Sequence, residues 1–490
     1  MAMMDVAAWA LHEFNGDSLG HRARQKRLIQ FGAALLQHSN KSVPQLFEGD
    51  SHQAKAAYRF LSNSKVTPRG VLAPHTQATV QRARQHPAIL AIEDTCVFSL
   101  PVRRDTEDFG PINNRKNKTR GWLTHTCLAV AADTLEPLGV LHQHAWVRPK
   151  KHRRKKEAAH QRRKRPRESQ RWSDTPQAVA RVFGRHPHRQ EDNTNWSAPR
   201  AGTPRIIHVV DREADIFETL ETYDALGDSF IVRAAQNRSV RPPADSEGPA
   251  YLFPTMETAP SVGERIVAVP GGPGKKARTA TLTLRVTEVE LLPPSNRGRQ
   301  GQAQRVTAVL AREEHPPEGV KKPLCWYLLT REPTDSQAAV QAVVSGYTGR
   351  WIVEEFHMGL KTGCRLEERQ LQTMERIWNF LSLASVVAWQ LLALRHAARR
   401  PEPLPASAIL TPVQLQTLHG LRPSLPRGCS GYQAMRAISR LGGFLGRKSD
   451  GEPGWRTLWR GFQELSRAEQ GFRAALHWVG QPLPGEEPWT

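Results

Sequence analysis

The sequence predicts an α/β core that is interrupted by a β-rich insertion and flanked by helical regions. In the core, short continuous apolar runs at 88–93 and 205–210 are typical of buried central strands, and an aspartate follows each of them. Residues 230–332 carry strand patterns separated by Gly and Pro clusters, which indicate an all-β region. At both ends of the chain, apolar residues recur with helical spacing.

Charge and cysteine usage narrow the class of protein. Among the 490 residues, Lys and Arg exceed Asp and Glu by 69 − 47 = 22. An excess of this size favours a polyanionic partner, most often nucleic acid, over a membrane surface. The five cysteines are far apart and form no CxxC pair, which favours a reducing compartment and argues against a zinc site.

No segment of the sequence predicts secretion or membrane insertion. The first twenty residues carry Asp5, Glu13 and Asp17, unlike a signal peptide. The longest apolar run, 377–394, is interrupted by polar residues and barely reaches the roughly 20 residues that a bilayer requires. We interpret it as part of a buried helix and expect a cytoplasmic protein with no membrane partner.

The N-terminal region, residues 1–70, is predicted to be a helical DNA-binding domain. Asp17 or Ser18 would cap a helix that opens with a basic turn at 21–27, and a second helix spans 54–61. The first helix carries an apolar stripe: Leu28, Phe31 and Leu35. A charged, solvated face is the alternative explanation for each basic residue.

The core continues with two strands at 122–132 and 138–147, which Asp133 and Thr134 join in a turn. A basic run follows at 150–167, where like charges repel, and we expect a mobile loop there. Contact with phosphates and a solubilising role are equally compatible with this run. A helix at 169–184 precedes the strand that ends at Asp211.

Taken as one helix, residues 347–361 bring four functional side chains to one narrow face: Tyr347, Arg350, Glu354 and Lys361. The opposite face is apolar and can pack on a core: Ile352, Val353, Phe356 and Leu360. The alternative is a solvated face with an i, i+4 ion pair, which contributes only a few tenths of a kcal/mol.

The remaining sequence predicts a core helix at 374–398 and a helical C-terminal region. Its clearest apolar stripe has the spacing of one helix: Trp455, Leu458, Trp459, Phe462 and Leu465. Such a stripe is more often a core or an oligomer interface than a ligand site.

Asp94, Asp211 and Glu354 together have the chemistry of a two-metal phosphoryl-transfer site. Two divalent ions about 4 Å apart can activate an attacking oxygen and stabilise a leaving one, and carboxylates are ligands that Mg²⁺ prefers. For any single Asp at a strand end, a turn or capping role is the commoner explanation.

Three motifs in this order resemble the signatures of a transposase family. They are Ile-Glu-Asp-Thr at 92–95, Asp-Arg-Glu-Ala-Asp at 211–215, and Tyr-x2-Arg-x3-Glu-x6-Lys at 347–361. The chain thereby resembles the insertion-sequence-four group of bacterial DDE transposases, which includes the transposon-five transposase. Shorter similarities at 58–61, 120–122 and 346–351 extend the resemblance over nearly the whole chain.

The resemblance implies a ribonuclease-H-like catalytic core with an inserted β-region, flanked by helical N-terminal and C-terminal domains. We expect the DNA-binding domain at 1–70, the catalytic domain at 71–398 with its insertion at about 225–335, and a dimerisation domain at 399–490. The implied partners are transposon-end DNA, target DNA and a second copy of the chain in a synaptic complex. The protein would be associated with the nucleoid.

The resemblance also assigns roles to individual residues. Asp94, Asp211 and Glu354 would be catalytic and would bind two Mg²⁺ or Mn²⁺ ions. Four side chains would contact end DNA: Tyr347, Arg350, Lys361 and Arg233. Trp326 would stack on a base that is flipped out when the cut end forms a hairpin, with a core tryptophan as the alternative. The 3′-OH ends would then be joined to target DNA.

Two other classes of function remain open at this point. A structure-specific DNA nuclease on the same core would cut DNA but never join strands. A catalytically inactive DNA-binding inhibitor of transposition is the second, although the three acidic residues and the complete N-terminal region argue against it.

Overall fold

The computed structural model describes residues 6–100, 108–112, 119–149, 167–190, 193–196, 200–242, 248–269, 277–294, 301–399, 404–447 and 450–485. Of the basic run at 150–167, only Arg167 is among them, so the loop expected there lies outside the described residues.

Five helices form the N-terminal region: α1 (Val6–Phe14), α2 (Arg22–Gln37), α3 (Val43–Leu46), α4 (Ser51–Leu61) and α5 (Pro68–Ala83). The stripe predicted for α2 is confirmed, since Leu28, Phe31 and Leu35 are fully buried. The predicted cap is wrong, because His21 caps α2 by accepting from the Ala23 amide. The Ser18 hydroxyl instead donates to the carbonyl of Gly70, which ties this region to α5.

The core strands lie in one sheet. They are β1 (Ala88–Ser99), β2 (Gly110–Pro111), β3 (Arg120–Ala131), β4 (Pro137–Trp146), β7 (Arg205–Val210) and β8 (Ser229–Arg233), while β5 (Pro187–Gln190) and β6 (Asn193–Trp196) form a separate hairpin. The central order is β4-β3-β1-β7-β8. In this order, β3 is antiparallel to both of its neighbours, β4 and β1, and β7 and β8 run parallel to β1. Two helices complete this part: α6 (Arg171–Val182) and α7 (Phe217–Leu226).

The β-rich insertion extends the same sheet. Its elements are β9 (Ser239–Val240), β10 (Ala250–Tyr251), α8 (Leu252–Glu257), β11 (Ser261–Val269), β12 (Arg278–Leu291), β13 (Gln304–Arg312) and β14 (Cys325–Thr330). Pairing of β14 with β8 joins it to the core, so that the described residues contain one sheet of twelve strands. The predicted strands are confirmed, and the short helix α8 is an addition to them.

Alternate residues of the central strands face two separate hydrophobic cores. Val210 and Val232 pack with residues of α6, α7 and α8. Val209 and Ile231 face the other side, where α9 (Gln337–Thr348), α10 (Trp351–Met358) and α11 (Met374–Ala398) lie. The sheet is therefore covered by helices on both faces.

The helix α11 matches the predicted span of 374–398 and packs against α4, α5 and β4. It is the one helix in the described part of the chain whose length and composition would allow it to cross a membrane, and 94% of its most apolar window is buried within the protein. Its interpretation as a core helix is confirmed.

The C-terminal region contains α12 (Pro412–Leu421), α13 (Gly431–Leu441) and α14 (Trp455–Trp478). The apolar stripe of α14 packs inward, with Trp455, Leu458, Trp459 and Leu465 buried. Beyond Leu465, no residue of α14 is buried, and Trp478 at its end is 89% exposed.

Candidate active site

Asp94 on β1 and Asp211 directly after β7 lie where the pairing between these two parallel strands ends. The prediction that the first strand ends at Asp94 is wrong, because β1 continues to Ser99 and pairs there with β3. The last residues paired between β1 and β7 are Ile92 and Val209. Asp94 lies two residues further along β1, and Asp211 is the first residue after β7. Asp211 also caps a short turn, because its Oδ1 accepts from the Glu213 amide at 2.8 Å. The turn role considered for this residue is therefore present, but it uses only one carboxylate oxygen.

Residues 347–361 do not form the single regular helix that the sequence suggests. The amides of Arg350, Ile352 and Val353 bond to carbonyls three residues earlier, which tightens the chain between α9 and α10. Residues Gly359–Gly363 then form a wider π-helical turn. Apolar periodicity alone does not reveal either departure, since both keep the chain helical.

Arg350 lies between two of the predicted catalytic carboxylates. Its Nη1 is 3.2 Å from Oε1 of Glu354 and 3.7 Å from Oδ2 of Asp94. Burial would lower the pKa of Arg350, but the surrounding negative charges, Asp94 first among them, raise it overall. The expected i, i+4 pair is present, and it is part of a cluster with β1.

Asp94 is largely buried, with its side chain 15% exposed. Burial raises its pKa to about 7, and the negative charges of Glu354 and Asp211 add to this, against the opposing effects of Arg350 and the Thr95 amide. Asp94 is thus near enough to Glu354 and to Asp211 to be repelled by each of them. A divalent cation would relieve that repulsion.

Asp94, Asp211 and Glu354 are the candidate ligands for a metal ion at this site. Three carboxylates are suitable ligands for Mg²⁺ or Mn²⁺. In the described ranges, however, no three His, Cys, Asp or Glu side chains are close enough to hold one ion together. A site with two ions does not require this, because a central carboxylate can be shared while each outer carboxylate binds one ion.

A buried chain of polar side chains lies directly behind Asp94. Glu93 accepts from His208 Nδ1 at 2.9 Å and lies 3.3 Å from His125 Nε2. His125 Nδ1 is 2.9 Å from the hydroxyl of Thr95, and His208 Nε2 is 3.3 Å from Asp228. Glu93 and Thr95, the two sequence neighbours of Asp94, are therefore fixed by contacts with buried histidines.

The predicted DNA contacts Trp326, Tyr347 and Arg233 form a second cluster. The rings of Trp326 and Tyr347 meet edge to face with centroids 5.3 Å apart, and their exposed fractions are only 7% and 4%. Arg233 Nη1 lies 3.4 Å from the Tyr347 hydroxyl, and Nη2 donates to the carbonyl of Cys325. This burial supports the alternative that Trp326 is a core tryptophan. Base stacking stays a prediction, and it requires the Trp326 ring to become exposed.

Lys361 lies apart from this cluster, on the π-helical turn. Its ammonium is 5.5 Å from the centre of the Phe98 ring near the end of β1. It also lies beside Cys96, whose pKa burial raises to about 12 despite this positive charge. The structure therefore brings Asp94, Arg350 and Glu354 together. Lys361 instead lies beside the C-terminal part of β1, near Cys96 and Phe98.

Sequence reasoning missed His357. It lies one turn after Glu354, and its Nδ1 is 3.8 Å from Oδ2 of Asp94. Burial lowers its pKa to about 3, and its Nε2 has no hydrogen-bond partner among the described residues. The i, i+3 spacing from Glu354 could have revealed it, since that spacing brings two helix residues to one face.

Comparisons with protein-family models identify both ends of the chain. Residues 6–66 match the model described as "Transposase DNA-binding", and residues 386–480 match the "Transposase Tn5 dimerisation domain". These matches support a transposase-type protein that binds DNA and forms homodimers. More particularly, they support a Tn5-like transposase. The second match begins inside α11, and neither match includes Asp94, Asp211 or Glu354.

Proposed function

We propose that this protein is a cut-and-paste DNA transposase of the insertion-sequence-four type, with Asp94, Asp211 and Glu354 as its catalytic carboxylates. The observation that supports the proposal is that Asp94 and Asp211 lie where the pairing between β1 and β7 ends, while Arg350 contacts both Asp94 and Glu354. The three carboxylates lie between a transposase DNA-binding region and a dimerisation region.

The strand order supports a ribonuclease-H-like core. An antiparallel triplet with β1 at its inner edge, followed by two strands parallel to β1, gives the order β4-β3-β1-β7-β8. The first acidic residue lies on the central strand, and the second follows directly after its parallel neighbour. The proposed domains are 1–70, 71–398 with the insertion at about 225–335, and 399–490. Because α5 packs on β4 and α11, the boundary between the first two domains falls near the start of α5.

Two Mg²⁺ or Mn²⁺ ions would activate the attacking oxygen and stabilise the leaving one. Asp94 would occupy the central position, because the negative charges of both Glu354 and Asp211 act on it. Asp211 and Glu354 approach from β7 and α10. Arg350, which now pairs with Glu354, is positioned to fork onto a phosphate when the carboxylates bind metal.

The proposed reaction is a series of in-line displacements at phosphodiesters. Water first attacks at the transposon end and releases a 3′-OH, which attacks the opposite strand to form a hairpin. A second water opens the hairpin, and the 3′-OH attacks a target phosphodiester with release of a target 3′-oxygen. Tyr347, Arg350, Lys361 and Arg233 would contact end DNA, and Trp326 would hold a flipped base.

The proposal is tested by incubating the purified protein with its own transposon-end DNA and Mg²⁺. Nicked, hairpin and joined products should appear in that order on a denaturing gel. Cutting without joining, even from a pre-cut 3′-OH end, would indicate a structure-specific nuclease. Binding with no cutting at all would indicate an inactive inhibitor of transposition.

A further inference from the structure

An open cleft of about 690 Å³ lies where the N-terminal, core and C-terminal regions meet. Asn40 lines it from the N-terminal side. The core contributes residues of 361–368, and α14 contributes Arg456 and Arg460. The cleft begins at Lys361, which the proposed function already places on end DNA.

The cleft is held in a fixed shape by close packing between α14 and the π-helical turn. A Cβ atom at Gly363 would lie only 2.8 Å from a ring carbon of Trp459, so the helix and the turn approach as closely as a glycine permits. Trp455 and Trp459 are buried on the inner face of α14. The position of the two arginines relative to Lys361 is therefore set by a packed interface.

The acidic residues in the cleft already have partners. Glu367 accepts from the amide and the hydroxyl of Ser99, the latter at 3.0 Å. Glu368 is paired with Arg365, whose Nε donates to it at 2.8 Å. Glu367 is thus hydrogen-bonded to the end of β1, and the charge of Glu368 is balanced by Arg365.

Arg456 and Arg460 differ from these residues, because they are exposed and, in the part of the chain that the structure describes, neither guanidinium makes a hydrogen bond or an ion pair. Residues four apart on a helix rise by about 6 Å, so each guanidinium can contact a separate phosphate. Guanidinium groups bind phosphate oxygens in a bidentate manner.

We propose that Lys361, Arg456 and Arg460 form a phosphate-binding cleft, which carries a DNA strand from the catalytic carboxylates onto α14. The C-terminal region would then bind DNA as well as the second copy. The proposal rests on the proposed function, since its ligand is DNA held at that active site. Among the described residues, no acidic side chain pairs with Arg456 or Arg460, and this unneutralised positive charge favours a polyanion over an apolar or cationic partner.

The test measures binding of the full-length protein to a labelled DNA duplex of mixed sequence at several salt concentrations. Arg456→Ala and Arg460→Ala should each lower the slope of log affinity against log salt by about 0.9, the value for one phosphate contact. The double variant should lower it by about twice as much. Replacement of both residues by Lys should restore most of the slope. Arg427→Ala is the matched control, because Arg427 is an exposed arginine of the C-terminal region that does not line the cleft.

Unchanged slopes in both single variants would overturn the cleft proposal, and so would a change equal to that of Arg427→Ala. If the double variant instead alters only the self-association measured by sedimentation, the cleft is an interface between copies. If the wild-type protein cleaves end DNA and the variants show the wild-type slope of log affinity against log salt, the proposed function stands and the cleft proposal is wrong. If the wild-type protein binds no DNA, both the proposed function and the cleft proposal are wrong.

Discussion

The Nδ1 atom of His208 lies 2.9 Å from Oε1 of Glu93, and both side chains are fully buried behind Asp94. Burial alone would lower the pKa of His208, but hydrogen bonds to Asp228 and Glu93 raise it to about 9. Burial would likewise raise the pKa of Glu93, which His125 and His208 hold below its ordinary value. A charged histidine between two carboxylates thus supports the strand that carries Asp94, the proposed central catalytic residue.

This pair should make stability depend on pH above neutrality. A histidine whose folded pKa exceeds its unfolded pKa of about 6.5 stabilises fully below that value and loses the contribution as the pH rises through about 9. The wild-type free energy of unfolding should therefore fall by up to about 3 kcal/mol over this range. His208→Gln should remove this dependence in denaturant titrations at several pH values. His52→Gln, at an exposed position, should keep it.

Asp94 should destabilise the metal-free protein at neutral and alkaline pH. Its folded pKa of about 7 exceeds the ordinary value of 3.8, so wild-type stability falls as the pH rises from about 4 to 7. Asp94→Asn should be more stable than wild type at pH 8, by at most about 4 kcal/mol, and no more stable at pH 4. Mg²⁺ should raise the melting temperature of wild type but hardly that of Asp94→Asn. Equal pH profiles for the two proteins would contradict the buried environment of this carboxylate, and Asp133→Asn in an exposed turn is the control.

Arg350 should set the pH range of catalysis. It is the main side chain that opposes the raised pKa of Asp94, so Arg350→Ala should raise that pKa further. We expect the pH optimum of cleavage to move to higher pH and the salt dependence of DNA binding to weaken. Arg350→Lys keeps the charge and should retain the optimum while losing the bidentate contact. An unchanged optimum in the alanine variant would show that Arg350 acts only through Glu354.

Trp326 should have separable roles in packing and in hairpin formation. Because the ring is buried against Tyr347, Trp326→Ala should lower the free energy of unfolding by about 3 to 5 kcal/mol. Trp326→Phe keeps an aromatic face and should cost less. If the ring stacks on a flipped base, the alanine variant should accumulate nicked DNA at a temperature where it remains folded, and the phenylalanine variant should form hairpins. Normal hairpin yields in both variants would show that Trp326 acts only in packing.

The sequence was informative where local periodicity determines structure. The run before Asp94, the strand before Asp211 and the span of α11 follow from uninterrupted apolar segments, which have few stable alternatives to burial. The register that aligns Asp94 with Asp211 depends on pairing between strands more than one hundred residues apart, and no local pattern specifies it.

Other features depended on tertiary context. Glu93 lies within the first apolar run, and only its pairing with His125 and His208 explains how a carboxylate can be buried there. The tight and wide turns on either side of α10 preserve the apolar face, so a helical wheel cannot show them. The sequence predicts the i, i+4 pair of Arg350 with Glu354, but not the second contact of Arg350 with Asp94.

The central claim is that Asp94, Asp211 and Glu354 act together as the metal-binding catalytic set. Its most direct test is Mg²⁺-dependent nicking of transposon-end DNA by Asp94→Ala, Asp211→Ala and Glu354→Ala, with DNA affinity measured on the same preparations. We predict that each variant binds end DNA with nearly wild-type affinity and produces no nicked strand. Metal-dependent nicking at the wild-type rate by any one of the three variants would contradict the assignment.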